Sequence, residues 1–276
     1  MVTKAVSVII PTFNREHCLM RALNSALAQS YPIQEIIVVD DGSTDATEKL
    51  IQESYPSVTY IKQENHGVSA ARNRGIKNSL GSWLAFLDSD DEWLPDKLAK
   101  QFSALEQQPE FKIIHSDEIW IRNGAQVNPK NKHEKSGGFI FEKCLPLCAI
   151  SPSAVLIHRE LFAELGMFDE SLPACEDYDL WLRICSRYPV LYVKEKLLRK
   201  YGGHEDQLSK QHWGMDRFRI VALHRLLNED ALNESQKTAA TEMLITKCKI
   251  LISGAEKRGN EELLEQIRSI LVVYQN

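Results

Sequence analysis

Two apolar runs that break off into paired carboxylates constrain this chain more than any other feature. Leu84-Ala85-Phe86-Leu87 ends in Asp88-Ser89-Asp90-Asp91, and Ile36-Ile37-Val38-Val39 ends in Asp40-Asp41-Gly42-Ser43. Short apolar runs bounded by turn chemistry read as buried strands. The carboxylates then sit at the carboxyl ends of strands, where open α/β sheets place their ligands. Only Ser89 separates Asp88 from Asp90, so a turn there can aim both side chains at one point. Convergent carboxylates repel each other unless a cation joins them, and hard oxygen ligands suit Mg²⁺ or Mn²⁺. The competing reading is a solvated acidic turn. For the second run, Asp-Gly-Ser is also good turn and cap chemistry.

The rest of the chain alternates in the same way. A strand over 6–10 is closed by Pro11, which cannot donate to a ladder. Leu19, Ala22, Leu23, Ala26 and Leu27 recur at helical spacing. A third strand is expected over 58–61. A helix over 68–80 follows Gly67 and is closed by Gly81. Pro95 suits the first turn of a helix that buries Leu98, Phe102 and Leu105. This alternation predicts an α/β fold of Rossmann-like character, a mostly parallel central sheet with helices on both faces.

Beyond residue 110 the pattern predicts strands over 112–115, 118–121, 153–157 and 190–193. The polar stretch 123–138 reads as a mobile loop. An amphipathic helix opens at Glu176-Asp177 and turns Leu180, Trp181 and Ile184 inward. Everything after about residue 212 is helix-like. The division expected is a domain over 1–210, with halves of about 1–110 and 111–210, and a C-terminal helical extension over 211–276.

Composition narrows the classes. A net charge of -5 and a pI of about 5.9 leave no broad basic surface, which argues against nucleic acid as partner. Nothing in MVTKAVSVII reads as a secretory signal, and no apolar stretch approaches the roughly 20 residues of a spanning helix. The six cysteines are scattered without a metal-site spacing, so reduced thiols and a cytoplasmic location are expected. Trp213, Phe218, Leu223, Leu226 and Leu227 form an apolar stripe flanked by arginines. Such a stripe is more often core; the other reading is peripheral contact with the inner face of a membrane.

On the same sheet edge, Phe13 offers either a ring to stack on a base or a core side chain. Arg72 and Arg74 lie on a helix whose N-terminal amides favour an anion. An aromatic, carboxylate acceptors, guanidinium groups and a cation site together describe a nucleoside-diphosphate pocket.

With these residues laid out, the sequence resembles the family 2 inverting glycosyltransferases of the GT-A type. The resemblance is carried in order by VSVIIPTFNR, EIIVVDDGSTD, GVSAARNRGI, FLDSDDEWLPDKL and CEDYDLWLRI. It implies a GT-A fold and transfer of a sugar from a nucleoside-diphosphate donor, UDP foremost, to a hydroxyl of a glycan, lipid-linked or other acceptor. It implies that Phe13 and Asp41 contact the base and Asp88 the ribose, with Pro11, Thr12, Arg72 and Ser89 completing the nucleotide set. Asp90, with Asp88 and His204, would hold Mn²⁺ or Mg²⁺. Asp177 would be the base, with Glu176 beside it. Two rivals are a non-catalytic module of the same fold and a sugar nucleotidyltransferase. The second would want a glycine-rich loop after the first strand, where this chain has PTFNREHC.

Overall fold

A computed structural model describes residues 4–203 and 212–275. One sheet organises it, with strands in the order 59–62, 35–40, 6–12, 83–86, 156–158, 113–122, 191–202 and 92–93, and with 125–127 hairpinned onto 113–122. The first four members are β1 (Val6–Thr12), β2 (Glu35–Asp40), β3 (Thr59–Lys62) and β4 (Trp83–Phe86). They pair in parallel. Their crossovers are the helices α1 (Glu16–Leu27), α2 (Thr47–Ser54) and α3 (Val68–Asn78).

The parallel expectation holds for this half and stops at β4. There β8 (Leu156–His158) docks antiparallel, Leu84 opposite Ile157. β6 (Ile113–Arg122) is antiparallel to β8 and parallel to β9 (Leu191–Gly202), and β5 (Glu92–Trp93) is antiparallel to β9. The sheet is therefore mixed beyond the central strand.

Alternation along each strand splits the core between two faces. Val8, Ile10 and Ala85 face α1 and α4 (Lys97–Gln107), packing on Leu19, Leu23, Leu98 and Phe102. Ile9, Leu84 and Phe86 face the opposite way, onto α7 (Glu176–Cys185) and the C-terminal helices. Those helices are α8 (Asp216–Asn228), α9 (Glu234–Glu256) and α10 (Glu261–Val273). Leu223, Leu244 and Leu263 belong to one buried cluster with Trp181 and Phe86, so the C-terminal helices share the core of the sheet. Helix α3 approaches β1 so closely that a methyl group on Gly75 would sit 2.4 Å from Cγ2 of Ile9.

Several boundaries move. The strands expected over 112–115 and 118–121 are one, β6, and the strand expected over 190–193 runs on to Gly202. The stretch 123–138 contains β7 (Ala125–Val127) and a 3-10 turn over Asn131–His133. A 3-10 turn over Pro152–Ala154 replaces the start of the strand expected over 153–157. Two short helices, α5 (Phe141–Cys144) and α6 (Glu160–Leu165), complete the helices of the described residues. In the arginine-flanked stripe, Leu223 and Leu226 are buried and Phe218 and Leu227 partly so, the core reading for these four, while Trp213 is exposed. No described helix is long and apolar enough to cross a membrane. All six cysteines are free thiols.

Candidate active site

The parallel strands deliver their following loops to one edge, and these loops are tied to one another. Asn14 takes a positive φ after β1, its N–H donates to Ser43 Oγ at 2.8 Å, and its Oδ1 accepts from Thr44 N at 2.8 Å. Asp40 turns back to accept from Ser43 N. Asp41 points the other way, accepting from Gln63 Nε2, His66 N and Gly67 N at 2.8–3.0 Å. It thereby fixes the approach to α3. A carboxylate has about four lone-pair sites, so Asp41 keeps acceptor capacity toward the cavity it lines.

The acidic turn after β4 is equally determined. Asp91 N donates to Asp88 O at 2.9 Å. Ser153 Oγ accepts from Asp88 N at 3.1 Å and donates to Asp91 Oδ2 at 2.7 Å. Asp91 Oδ1 accepts from Tyr201 N at 2.9 Å, so this buried carboxylate fastens the turn to β9. Burial, reinforced by the charges of Asp90 and Asp88, pushes its pKa well up. Of the three acids in the turn, Asp91 is thus the anchor, while Asp88 and Asp90 are partly exposed and line the cavity.

Arg72 joins this turn to helix α7. Its guanidinium donates to Asp88 Oδ1 at 2.7 Å and to Glu176 Oε1 at 2.6 Å. The Arg72 and Glu176 side chains are 4% and 5% exposed, and Asp88 is 28% exposed. Burial and the neighbouring Asp177 raise Glu176 to about 7, against the pull of Arg72. Arg74, by contrast, is exposed on the far side of α3.

Helix α7 is entered through Cys175 in the left-handed region, φ 65°, which sets Glu176 and Asp177 at the cavity wall. Asp177 Oδ1 accepts from Tyr178 N at 2.7 Å, and Oδ2 accepts from Cys148 Sγ at 3.0 Å. Asp179 faces away, paired with Arg183 at 2.7 Å.

The resulting cavity measures about 470 Å³ and is shared by Pro11, Thr12, Phe13, Asp41, Arg72, Asp88, Ser89, Asp90, Glu176 and Asp177. Every site residue that the resemblance implies lies there except His204, which falls outside the described residues; Arg74, the other arginine expected at the pocket, does not line it. Phe13 is 45% exposed, so the core reading of its ring does not hold. Among the described residues no three His, Cys, Asp or Glu side chains converge as a ready metal cage. Two carboxylates on a turn do fit a cation that keeps waters and takes its other oxygens from a diphosphate.

Lys200 was not anticipated. It lines the cavity beside Tyr201 and donates to Ser151 Oγ at 3.0 Å. Burial would lower its pKa, but the carboxylates of Glu118, Asp91 and Asp88 outweigh it and raise it. Glu118 itself is held down at about 2 despite burial, by Lys135 and Lys200. Nothing in the local pattern of β9 marks Lys200, because its neighbours arrive from β6 and the acidic turn.

Comparison with known proteins finds relatives by sequence and by fold. An uncharacterized glycosyltransferase of Rickettsia typhi is 32% identical over 88% of this chain and 75% of its own length. The Escherichia coli UDP-Glc:alpha-D-GlcNAc-diphosphoundecaprenol beta-1,3-glucosyltransferase WfgD is 33% identical over 65% of this chain and 69% of its own. Three further Rickettsia relatives are longer, and the chain spans about a third of their length, 31% of one and 35% of two. Residues 1–349 of S. aureus TarS, crystallised with UDP-GlcNAc, superpose with a TM-score of 0.73 at 18% identity, covering 98% of this chain and 89% of that one. The glycosyl transferase family 2 model matches residues 7–166, more than half of the sequence. By sequence the chain belongs to glycosyl transferase family 2, and its fold is of the GT-A type.

Proposed function

We propose that this protein is an inverting glycosyltransferase that moves a sugar from a UDP-sugar to a hydroxyl of a glycan or lipid-linked acceptor in polysaccharide synthesis. The observation that carries this reading is the Arg72 bridge, which holds the acidic turn and the start of α7 around one cavity. The ligand of TarS and the substrates named for WfgD support the donor and acceptor classes.

The half-exposed Phe13 ring stacks on the base, within the wall formed by Pro11, Thr12 and Asp41. Asp88 and Ser89 face the ribose. Asp90, with Asp88, would hold Mn²⁺ or Mg²⁺, which when bound supplies the counter-charge for the departing diphosphate. Arg72 adds a fixed positive charge on the same side. Asp177 takes the proton of the attacking hydroxyl, and attack opposite the leaving group inverts the anomeric centre. A general base of this kind contributes about 10²- to 10⁴-fold. Glu176 orients the helix start through Arg72.

Asp177→Asn tests the reading, because it preserves shape and removes the proton acceptor. Donor affinity should stay near that of the parent, while turnover, read as donor hydrolysis until an acceptor is known, falls by about 10² or more. An Asp177→Asn protein that keeps most of its turnover would mean that the carboxylate only caps the helix.

A further inference from the structure

The geometry points to Cys148 as a positioning residue for Asp177, its thiol donating to the carboxylate that accepts the substrate's proton. This inference rests on the assignment of Asp177 as the base. Cys148 precedes the 3-10 turn over Pro152–Ala154, in a segment that α7 grips from both sides. Tyr178 Oη donates to Leu145 O at 2.7 Å and Trp181 Nε1 donates to Ile150 O at 2.8 Å, both from fully packed rings. Between these two bonds the Cys148 sulfur lies 3.0 Å from Asp177 Oδ2 and 3.1 Å from Ile150 O.

The thiol has one hydrogen and two acceptors within reach. A carboxylate is the stronger acceptor, so the hydrogen goes to Asp177 while that group is charged. With Tyr178 N–H on Oδ1, both carboxylate oxygens are then held, and torsion about the side chain is stopped. Oδ2 keeps a second lone pair for the acceptor hydroxyl. A thiol is a weak donor, so it orients this oxygen without competing strongly for the incoming proton. When the acceptor's proton arrives on Oδ2, the thiol keeps its own hydrogen and can turn it to the Ile150 carbonyl.

The same contact acts on the sulfur. Burial, then the charge of Asp177 and its hydrogen bond, pushes the Cys148 thiol well up, with Cys144 of α5 adding to this and Lys200 of β9 opposing it. Cys148 is also partly exposed, whereas the other five cysteines are buried.

Two measurements test the pairing. In the first, Cys148→Ala should lower kcat for donor hydrolysis by about tenfold, the value of one hydrogen bond to a charged group, with donor KM unchanged. Cys148→Ser, which restores a donor, should recover most of it. In the second, iodoacetamide labelling of Cys148 at pH 8, followed by mass spectrometry, should be at least about tenfold faster in Asp177→Asn than in the parent, since the neighbouring charge is gone. The second measurement needs no Cys148 variant to fold. Full kcat in Cys148→Ala, or equal labelling in both proteins, overturns the pairing. If Asp177→Asn keeps its turnover, the base assignment itself has failed; if Asp177→Asn is inactive and Cys148→Ala is not, only the pairing has.

Discussion

Replacing Arg72 by methionine should be among the most costly single changes in this molecule, and its cost should depend on Glu176. Methionine keeps the volume of the side chain and removes a guanidinium that is 4% exposed and bonded at 2.6 Å to a carboxylate 5% exposed. Breaking a buried pair from one side costs about 3–5 kcal/mol, because the surviving charge stays buried without a partner. For a chain of this size that is a fall in Tm on the order of 10 °C. Asp88, 28% exposed, can be solvated in part, so most of the loss belongs to Glu176. Glu176→Gln in the Arg72→Met background should therefore recover about 2 kcal/mol or more, measured by urea denaturation as a double-mutant cycle. The carboxyl, already raised to about 7, is further up in the Arg72→Met protein. A raised carboxyl gives stability that is full below its unfolded value and is lost as pH rises through the folded one. The Arg72→Met defect should accordingly be larger at pH 8 than at pH 6. A cost under about 1 kcal/mol, or a coupling near zero between the two substitutions, would refute the view that this pair closes the site.

Phe13→Ala should leave stability within about 0.5 kcal/mol, since the ring is half exposed, and weaken UDP binding by roughly 1–3 kcal/mol in calorimetry. Asp90→Ala should lower the UDP-induced rise in Tm in Mn²⁺ and make it insensitive to chelator, whereas in the parent chelator should abolish most of that rise; a chelator-independent parent would remove the metal from the mechanism. His115 is fully buried, its Nε2 at 2.9 Å from Ser136 O, and burial with the charge of Lys135 lowers it to about 3. Stability from this group is present above the unfolded value near 6.5 and is lost as pH falls toward 3, at a slope of roughly 1.4 kcal/mol per pH unit. His115→Gln should flatten that limb in urea titrations at pH 7 and pH 4.5.

The sequence made the parallel half of the sheet readable because its signals are local. The buried runs of β1, β2 and β4 are mostly apolar, and the turns that end them carry the candidate side chains within a few residues. Helix α7 was readable for the same reason, through the spacing of Leu180, Trp181 and Ile184. The apolar pattern of β9 stops short of its true end because Lys194-Glu195-Lys196 are exposed and interrupt it, where the register with β6 also shifts between Ser116 and Asp117. The anchoring of Asp91 by Ser153 and Tyr201, the arrival of Lys200 and the approach of Cys148 to Asp177 all join residues distant in sequence. No local period encodes such meetings.

The antiparallel seam between β4 and β8 also bears on how the chain can be made. β4 is buried throughout, and among the described residues its outer edge is paired only with residues 156–158. During synthesis the amino-terminal strands leave the ribosome long before that cover exists. An apolar strand with an open ladder is a template for pairing with other chains. The nascent protein therefore carries its most central strand as an unprotected edge until Leu156 emerges, and a fragment cut near residue 110 would keep that edge for good.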